Sequence, residues 1–235
     1  QLKNFDIGFD DENSKTFAKV AFQELSTKVN RLDLTDNKFD IQYLKLNKAD
    51  IDARLFLTQN NDTNKAEAPN KTPENNTPFL KLNTLQLDDV KVKYANTAAA
   101  PARSGMDFNH LNFSKLNFEM KNFVMNNGEF TGKIRSAEIT ESKGLNIQKL
   151  HTDFAYKNKE AYLKNLVLQT PNTILREELK LTYASVHQFS NNIGEVHIAA
   201  HLPNTKIGFK DILLFAPDLR NTAPFNTYPN AVLAL

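Results

Sequence analysis

The chain has 235 residues, of which 40% are hydrophobic and 24% charged, enough apolar content for a real core and too much for intrinsic disorder. Lys+Arg 29 against Asp+Glu 27 leave a formal charge of +2, and the lysines stand singly between apolar residues, as at Lys91 and Lys93, which argues against a nucleic-acid surface. The absence of cysteine excludes disulfides, thiolate chemistry and cysteine-ligated metals, and no stretch approaches the ~20 apolar residues of a membrane-spanning helix. Gln1 in place of Met, and an apolar alternation still running at Ala231 to Leu235, read as a piece cut from a longer chain whose anchors lie outside it.

In chain order, strand-like segments are predicted at Leu2 to Phe9, Phe22 to Leu34, Phe39 to Leu46 and Ile51 to Thr58. Residues 59–78, QNNDTNKAEAPNKTPENNTP, have no periodicity and read as a flexible excursion. Strands follow on either side of an irregular loop at 95–105: Leu80 to Val92 before it, then Phe108 to Phe113, Leu116 to Met125, Phe130 to Ile139, Leu145 to Tyr156, Leu163 to Thr170 and Ile174 to Tyr183. A helical turn at Ser185 to Asn191 precedes strands at Val196 to Leu202 and Thr205 to Phe209. Lys210 to Leu219 is the best helix candidate, with Pro217 fraying its end. The division is therefore a sheet segment over 1–58, a loop over 59–78 and a continuation of the same sheet over 79–235, in one elongated domain.

The most informative pattern is a stutter. Apolar residues fall at Leu80, Leu82, Leu85, Leu87, Val90 and Val92, and again at Leu111, Phe113, Leu116, Phe118 and Met120. Steps of two keep side chains on one face of a strand, whereas a step of three changes face unless the backbone bends. The expected fold is all-β: a curled sheet of many short strands, antiparallel or mixed, bent or bulged at polar doublets such as Asn83-Thr84 and Asp88-Asp89. A weak internal repeat supports growth along one axis. Phe5-Asp6-Ile7-Gly8-Phe9 with Phe22 to Leu25 resembles Val90 to Tyr94 with Phe108 to Leu111, an offset of 85 or 86 by subtraction, and Tyr43 to Asn47 returns as Phe79 to Asn83. A pentapeptide-repeat solenoid would share the spacing Leu80, Leu85, Val90, but it needs small residues where this chain has Leu82 and Leu87.

Catalytic and metal-binding motifs are sparse. The histidines are His110, His151, His187, His197 and His201; Glu195, His197 and His201 share a strand face, yet four residues of strand hold His197 and His201 about 13 Å apart, too far for one ion. No HExxH, Walker, GxGxxG or GxSxG motif occurs. Asp88-Asp89 and Glu177-Glu178 point to opposite faces when extended, and Asp50 and Asp52 share a face without a nearby nucleophile. No catalytic residue, metal ligand or cofactor is assigned. The one-faced apolar strands are then the candidate site, with Leu80, Leu82, Leu85, Leu87, Val90, Val92, Leu116, Phe118, Met120, Leu150, Phe154, Leu166 and Leu168 expected to line a groove.

Residues 143–173 carry a further signal in Gly144, Leu145, Ile147, Leu150, Phe154 and Tyr156, followed by Leu163, Leu166, Leu168, Thr170, Pro171 and Asn172. With Phe209 to Leu219, Pro224-Phe225 and Pro229-Asn230, this stretch resembles the repeating unit of AsmA-like proteins of the TamB translocation and assembly type. The resemblance implies a periplasmic protein anchored in the inner membrane by a segment absent here, with a long curled sheet enclosing an apolar groove. It also implies phospholipid or another acyl chain as ligand, and partnership with an outer-membrane TamA-type barrel through parts not present. The alternative is a structural or adhesive β-rod whose apolar face is only its core.

Overall fold

The computed structural model describes residues 1–57, 78–184 and 196–234. Of the predicted segments, the loop at 59–78, apart from Pro78, and the helical turn at Ser185 to Asn191 lie outside the described residues. The rest forms mostly strand: a single open mixed sheet of 13 strands with one short α-helix among the described residues. The strands are β1 (Leu2–Asp11), β2 (Thr16–Asp33), β3 (Lys38–Leu55), β4 (Phe79–Asn96), β5 (His110–Asn126), β6 (Glu129–Glu141), β7 (Asn146–Ile147), β8 (Lys149–Tyr156), β9 (Glu160–Gln169), β10 (Ile174–Thr182), β11 (His197–His201), β12 (Lys206–Gly208) and β13 (Val232–Ala234). Their order is sequential, β1 to β6, then β8, β9, β10, β12 and β13, with β7 beside β6 and β11 beside β10.

Neighbours are antiparallel except for β3 and β4, which run parallel with Ile41 beside Leu82 and Leu46 beside Leu87. Such a pair needs a long return connection, and the chain between Leu55 and Phe79 supplies it. Asn96 pins the end of this seam. Its buried side-chain amide donates to the Leu57 carbonyl and accepts from the Leu57 N–H, both at 3.0 Å. The similar segments Tyr43 to Asn47 and Phe79 to Asn83 do lie in these adjacent strands, but Leu44 sits beside Leu85 rather than Leu80.

The stutter has a backbone cause. Within strands, Asn4, Lys48, Asp89, Asn122 and Asn165 all have φ between 48° and 53°, and each directly precedes an apolar residue that completes a step of three: Phe5, Ala49, Val90, Phe123 and Leu166. One left-handed residue rotates the chain so that the next side chain returns to the face it would otherwise have left. Four of the five are Asn or Asp, whose short polar side chains tolerate this conformation. Because the backbone turns without breaking at Lys48, the predicted strands Phe39 to Leu46 and Ile51 to Leu55 fuse in β3, while in β5 the segments either side of Ser114-Lys115 join through a shift of register.

The steps are also matched between neighbours. Leu2 to Phe5 lies against Phe22 to Leu25, which lies against Leu46 to Ala49, so a crease crosses β1 to β3 with no slip in register there. It continues to Leu87 and Val90 of β4 and is absorbed as a bulge against Phe118 and Leu116 of β5, the place predicted at Asp88-Asp89. The other predicted bulge is different: at Asn83-Thr84 the register runs unshifted, because Ile41 to Leu44, Leu82 to Leu85 and Met120 to Phe123 all step together. Phe22, Ala49 and Val90 form a buried cluster on the crease, surrounded by Leu25, Leu46, Leu87, Val92 and Leu116.

The helix α1 (Phe209–Phe215) is shorter than the predicted Lys210 to Leu219. Pro217 lacks the N–H that an α-helix needs there, and the chain continues from Pro217 to Asn221 as a tighter 3₁₀ turn. Leu213 is the buried residue of α1, while the Met106 N–H donates to the Leu214 carbonyl at 2.7 Å and joins the helix to the loop before β5.

An apolar trough as candidate functional site

The second half of the sheet is built from four strands whose apolar residues line up in rungs. Leu150, Leu168 and Leu175 are successive register partners across β8, β9 and β10; so are Phe154, Leu163 and Leu179, and then Tyr156, Ala161 and Leu181. On the β6 side, Phe130 faces Tyr156, Gly132 faces Phe154 and Ile134 faces Thr152. Together with Ile147, Leu166 and Tyr162 these residues, Gly132 excepted, line a cavity of about 520 Å³, within the size range of small-molecule sites.

Three details shape it. A Cβ on Gly132 would stand 2.7 Å from the Phe154 ring, so the bare glycine backbone is what lets that ring lie flat against β6. Aromatic contacts stiffen one end, with Phe130 stacked on Tyr156 at 4.9 Å and edge-on to Phe154 at 6.3 Å between centroids. The left-handed Asn165 returns Leu166 to the trough, where it is almost fully buried, and the Asn165 amide caps its own bend by donating to Asp153 at 3.0 Å.

The lining offers little but hydrocarbon. Its threonine is already engaged, since the Thr152 hydroxyl donates to the Lys164 carbonyl at 3.1 Å. At the rim, the Tyr183 hydroxyl donates to the Lys157 carbonyl at 2.6 Å, and burial pushes that phenol above its ordinary value. What such a surface can do chemically is shield apolar matter from water. Among the described residues no three His, Cys, Asp or Glu side chains are grouped to hold a metal; Glu195 and His187 lie outside those residues, and His197 and His201 are exposed on β11. Asp52, one of the carboxylates that share a face, is paired with Arg54 at 2.7 Å, and this partner holds its carboxyl below the usual range.

Of the thirteen residues expected to line a groove, the trough gathers four: Leu150, Phe154, Leu166 and Leu168. The other nine, Leu80, Leu82, Leu85, Leu87, Val90, Val92, Leu116, Phe118 and Met120, lie on β4 and β5 outside this cavity. Leu82, Val90 and Met120 are buried, and Leu80, Leu85, Leu87, Val92, Leu116 and Phe118 are half-buried. Leu87, Val90, Val92 and Leu116 belong to the crease cluster. Sequence reasoning left out β10, although Leu175, Leu179 and Leu181 were within a predicted strand. The signal was the even spacing of Leu175, Leu179 and Leu181, which keeps all three on one face, but the charged run Arg176-Glu177-Glu178 interrupts the apolar alternation between them.

The two stretches that carry the AsmA-like resemblance meet at one end of the trough. The turn Thr170-Pro171-Asn172-Thr173 docks α1: the Thr170 hydroxyl donates to Asp211 at 2.5 Å and the Asn172 amide donates to the same carboxylate at 3.2 Å. The Gly208 N–H donates to the Thr173 hydroxyl at 3.0 Å, and a Cβ at Gly208 would stand 2.4 Å from Asn172. No helix among the described residues is long and apolar enough to cross a membrane. No protein-family model, curated protein or solved structure matches the chain, and its functional reading rests on its own residues and geometry.

Proposed function

We propose that this chain is a non-enzymatic, lipid-holding segment of an AsmA/TamB-like envelope protein, whose apolar face carries phospholipid acyl chains between two membranes or supports the assembly of outer-membrane proteins. The observation that carries the reading is the trough: rungs of Leu, Phe and Tyr, contributed by β6 and β8 to β10 of one open sheet, with its inward polar hydroxyl already bonded to backbone. The degenerate likeness around Thr170-Pro171-Asn172 supports the envelope setting, in the periplasm.

The energetics favour such a role. A 16-carbon chain in water costs on the order of 12 kcal/mol at ~0.8 kcal/mol per methylene, and a sheet face that covers one side of it would recover about half. No covalent step is required. The four strands of the trough, β6, β8, β9 and β10, spaced ~4.8 Å apart, carry that face across about 14 Å.

The test is organic extraction of the purified protein followed by mass spectrometry. Co-purifying phospholipid near one mole per mole is expected, with loss of most of it in the Leu150→Asp/Phe154→Asp double variant. A clean wild-type extract, or equal lipid in a folded double variant, overturns the reading and leaves a rod whose apolar face is only core.

A further inference from the structure

Beside the trough, at the end where α1 docks, a second cavity of about 380 Å³ has the opposite character. Lys143 from the β6–β7 turn, Lys210 from α1 and Arg220 from the 3₁₀ turn all line it, and all three are exposed. The carboxylate in the lining, Asp211, already accepts from Thr170 and Asn172 and is committed to holding α1 in place. Lys143 has a contact of 3.5 Å with the Ala102 carbonyl, an uncharged acceptor at the limit of hydrogen bonding. Three cations and one carboxylate therefore line the hollow, an excess of two positive charges, with the carboxylate oxygens engaged by Thr170 and Asn172.

The position matters as much as the charge. Asn172, in the polar cavity, lies in the turn between Leu168 and Leu175, which form the last rung of the trough. Lys143 and Gly144 likewise precede Ile147 of the trough by only three or four residues through a turn, so even a fully extended chain at ~3.3 Å per residue would part them by no more than about 13 Å. That is the arrangement of an amphiphile: hydrocarbon along the rungs, a charged head beyond their end.

We propose that Lys143, Lys210 and Arg220 form a headgroup site for an anionic, phosphate-bearing lipid whose acyl chain lies in the adjoining trough. The inference rests on the proposed lipid-holding role and narrows it to a lipid class. Arg220 supplies a planar fork suited to two phosphate oxygens, and the lysines supply point charges that neutralise the rest. Because the site is exposed, its contribution is screened by salt.

The experiment compares three single-chain probes of equal length below their micelle concentrations: lysophosphatidylglycerol, lysophosphatidylcholine and a neutral monoacylglycerol. Binding is read by calorimetry on the wild type and on Lys143→Gln/Lys210→Gln/Arg220→Gln, with circular dichroism to check the fold. The wild type is expected to bind the anionic probe about tenfold more tightly than the neutral one, the sum of three screened charge pairs, and to lose that margin at 1 M salt. The triple variant should bind all three alike while keeping its affinity for the neutral probe. Equal binding of the anionic and neutral probes by the wild type overturns the headgroup site and leaves the trough standing. Binding of none of them overturns both.

Discussion

The crease in β1 to β4 and the trough in β6 to β10 are made from one sequence device and end differently. In both, a left-handed residue brings an apolar side chain back onto the same face: Asp89 for Val90, and Asn165 for Leu166. On the crease, a rung mixes sizes, with Phe22 partnered to Ala49 and Val90 on the next strand, and these three are only 8%, 3% and 1% exposed. In the trough a rung of Leu150, Leu168 and Leu175 has no small member, and all three stay half-buried. A large ring beside an alanine can fold over it and exclude water, whereas three leucines side by side stand open. The pattern of apolar residues places the face; at these two rungs the mix of sizes separates the one that is sealed from the one that stays open.

The sharpest way to break this comparison is truncation. Val90→Ala should cost about 2 kcal/mol, since its methyls are wholly enclosed and a cavity remains, while Leu168→Ala should cost about 1 kcal/mol although it removes more atoms. Urea unfolding of the two variants reads this directly, and equal or reversed costs would mean that the trough is as sealed as the crease. The next effect concerns the left-handed positions. Lys48→Asn should stabilise by about 0.5–1 kcal/mol, because lysine gains nothing from that conformation, and Asn165→Ala should destabilise by about 1 kcal/mol. If Lys48→Asn loses stability, the crease is held by something other than backbone bending.

The smallest effect is acid sensitivity at the loop that braces the sheet end. Burial pushes the Asp107 carboxyl up, but N–H donors from Ala102 and Asn109 and the His110 ring outweigh it, and the net direction is downward from its ordinary value. A carboxyl lowered in the folded state contributes its full stability above pH 3.8 and loses it as pH falls through the folded value. Asp107→Asn should therefore flatten the fall in stability below about pH 4, measured by thermal melts across pH 2.5–6, and leave the lipid content of the trough unchanged.

Strand positions and the apolar face were legible because alternation survives in a single chain: β1, β6, β9 and β10 sit within a few residues of their predicted spans. Strand length was not. At Lys48 the sequence breaks its alternation, and nothing in one strand tells a chain end from a left-handed residue; only the matching step at Phe22 to Leu25 in the neighbouring strand makes it a crease. The candidate site was legible where the face and its spacing coincide, at Leu150, Phe154, Leu166 and Leu168. It was not legible at Gly132, whose importance lies in the ring it leaves room for, nor at Lys210 and Arg220, which reach their cavity only once Asp211 has docked on Thr170.

The parallel seam between β3 and β4 sets the symmetry of the molecule. Three strands that run up, down and up cannot be followed by an antiparallel neighbour without inverting the next triplet. A parallel joint restarts the cycle in the same orientation, so β4, β5 and β6 run in the same directions as β1, β2 and β3, and Asp89 bends β4 on the crease as Asn4 bends β1. The long connection before Phe79 is the cost of keeping the phase. A polypeptide with that grammar can lengthen by whole triplets, each laying its oily side against the last without a change of direction.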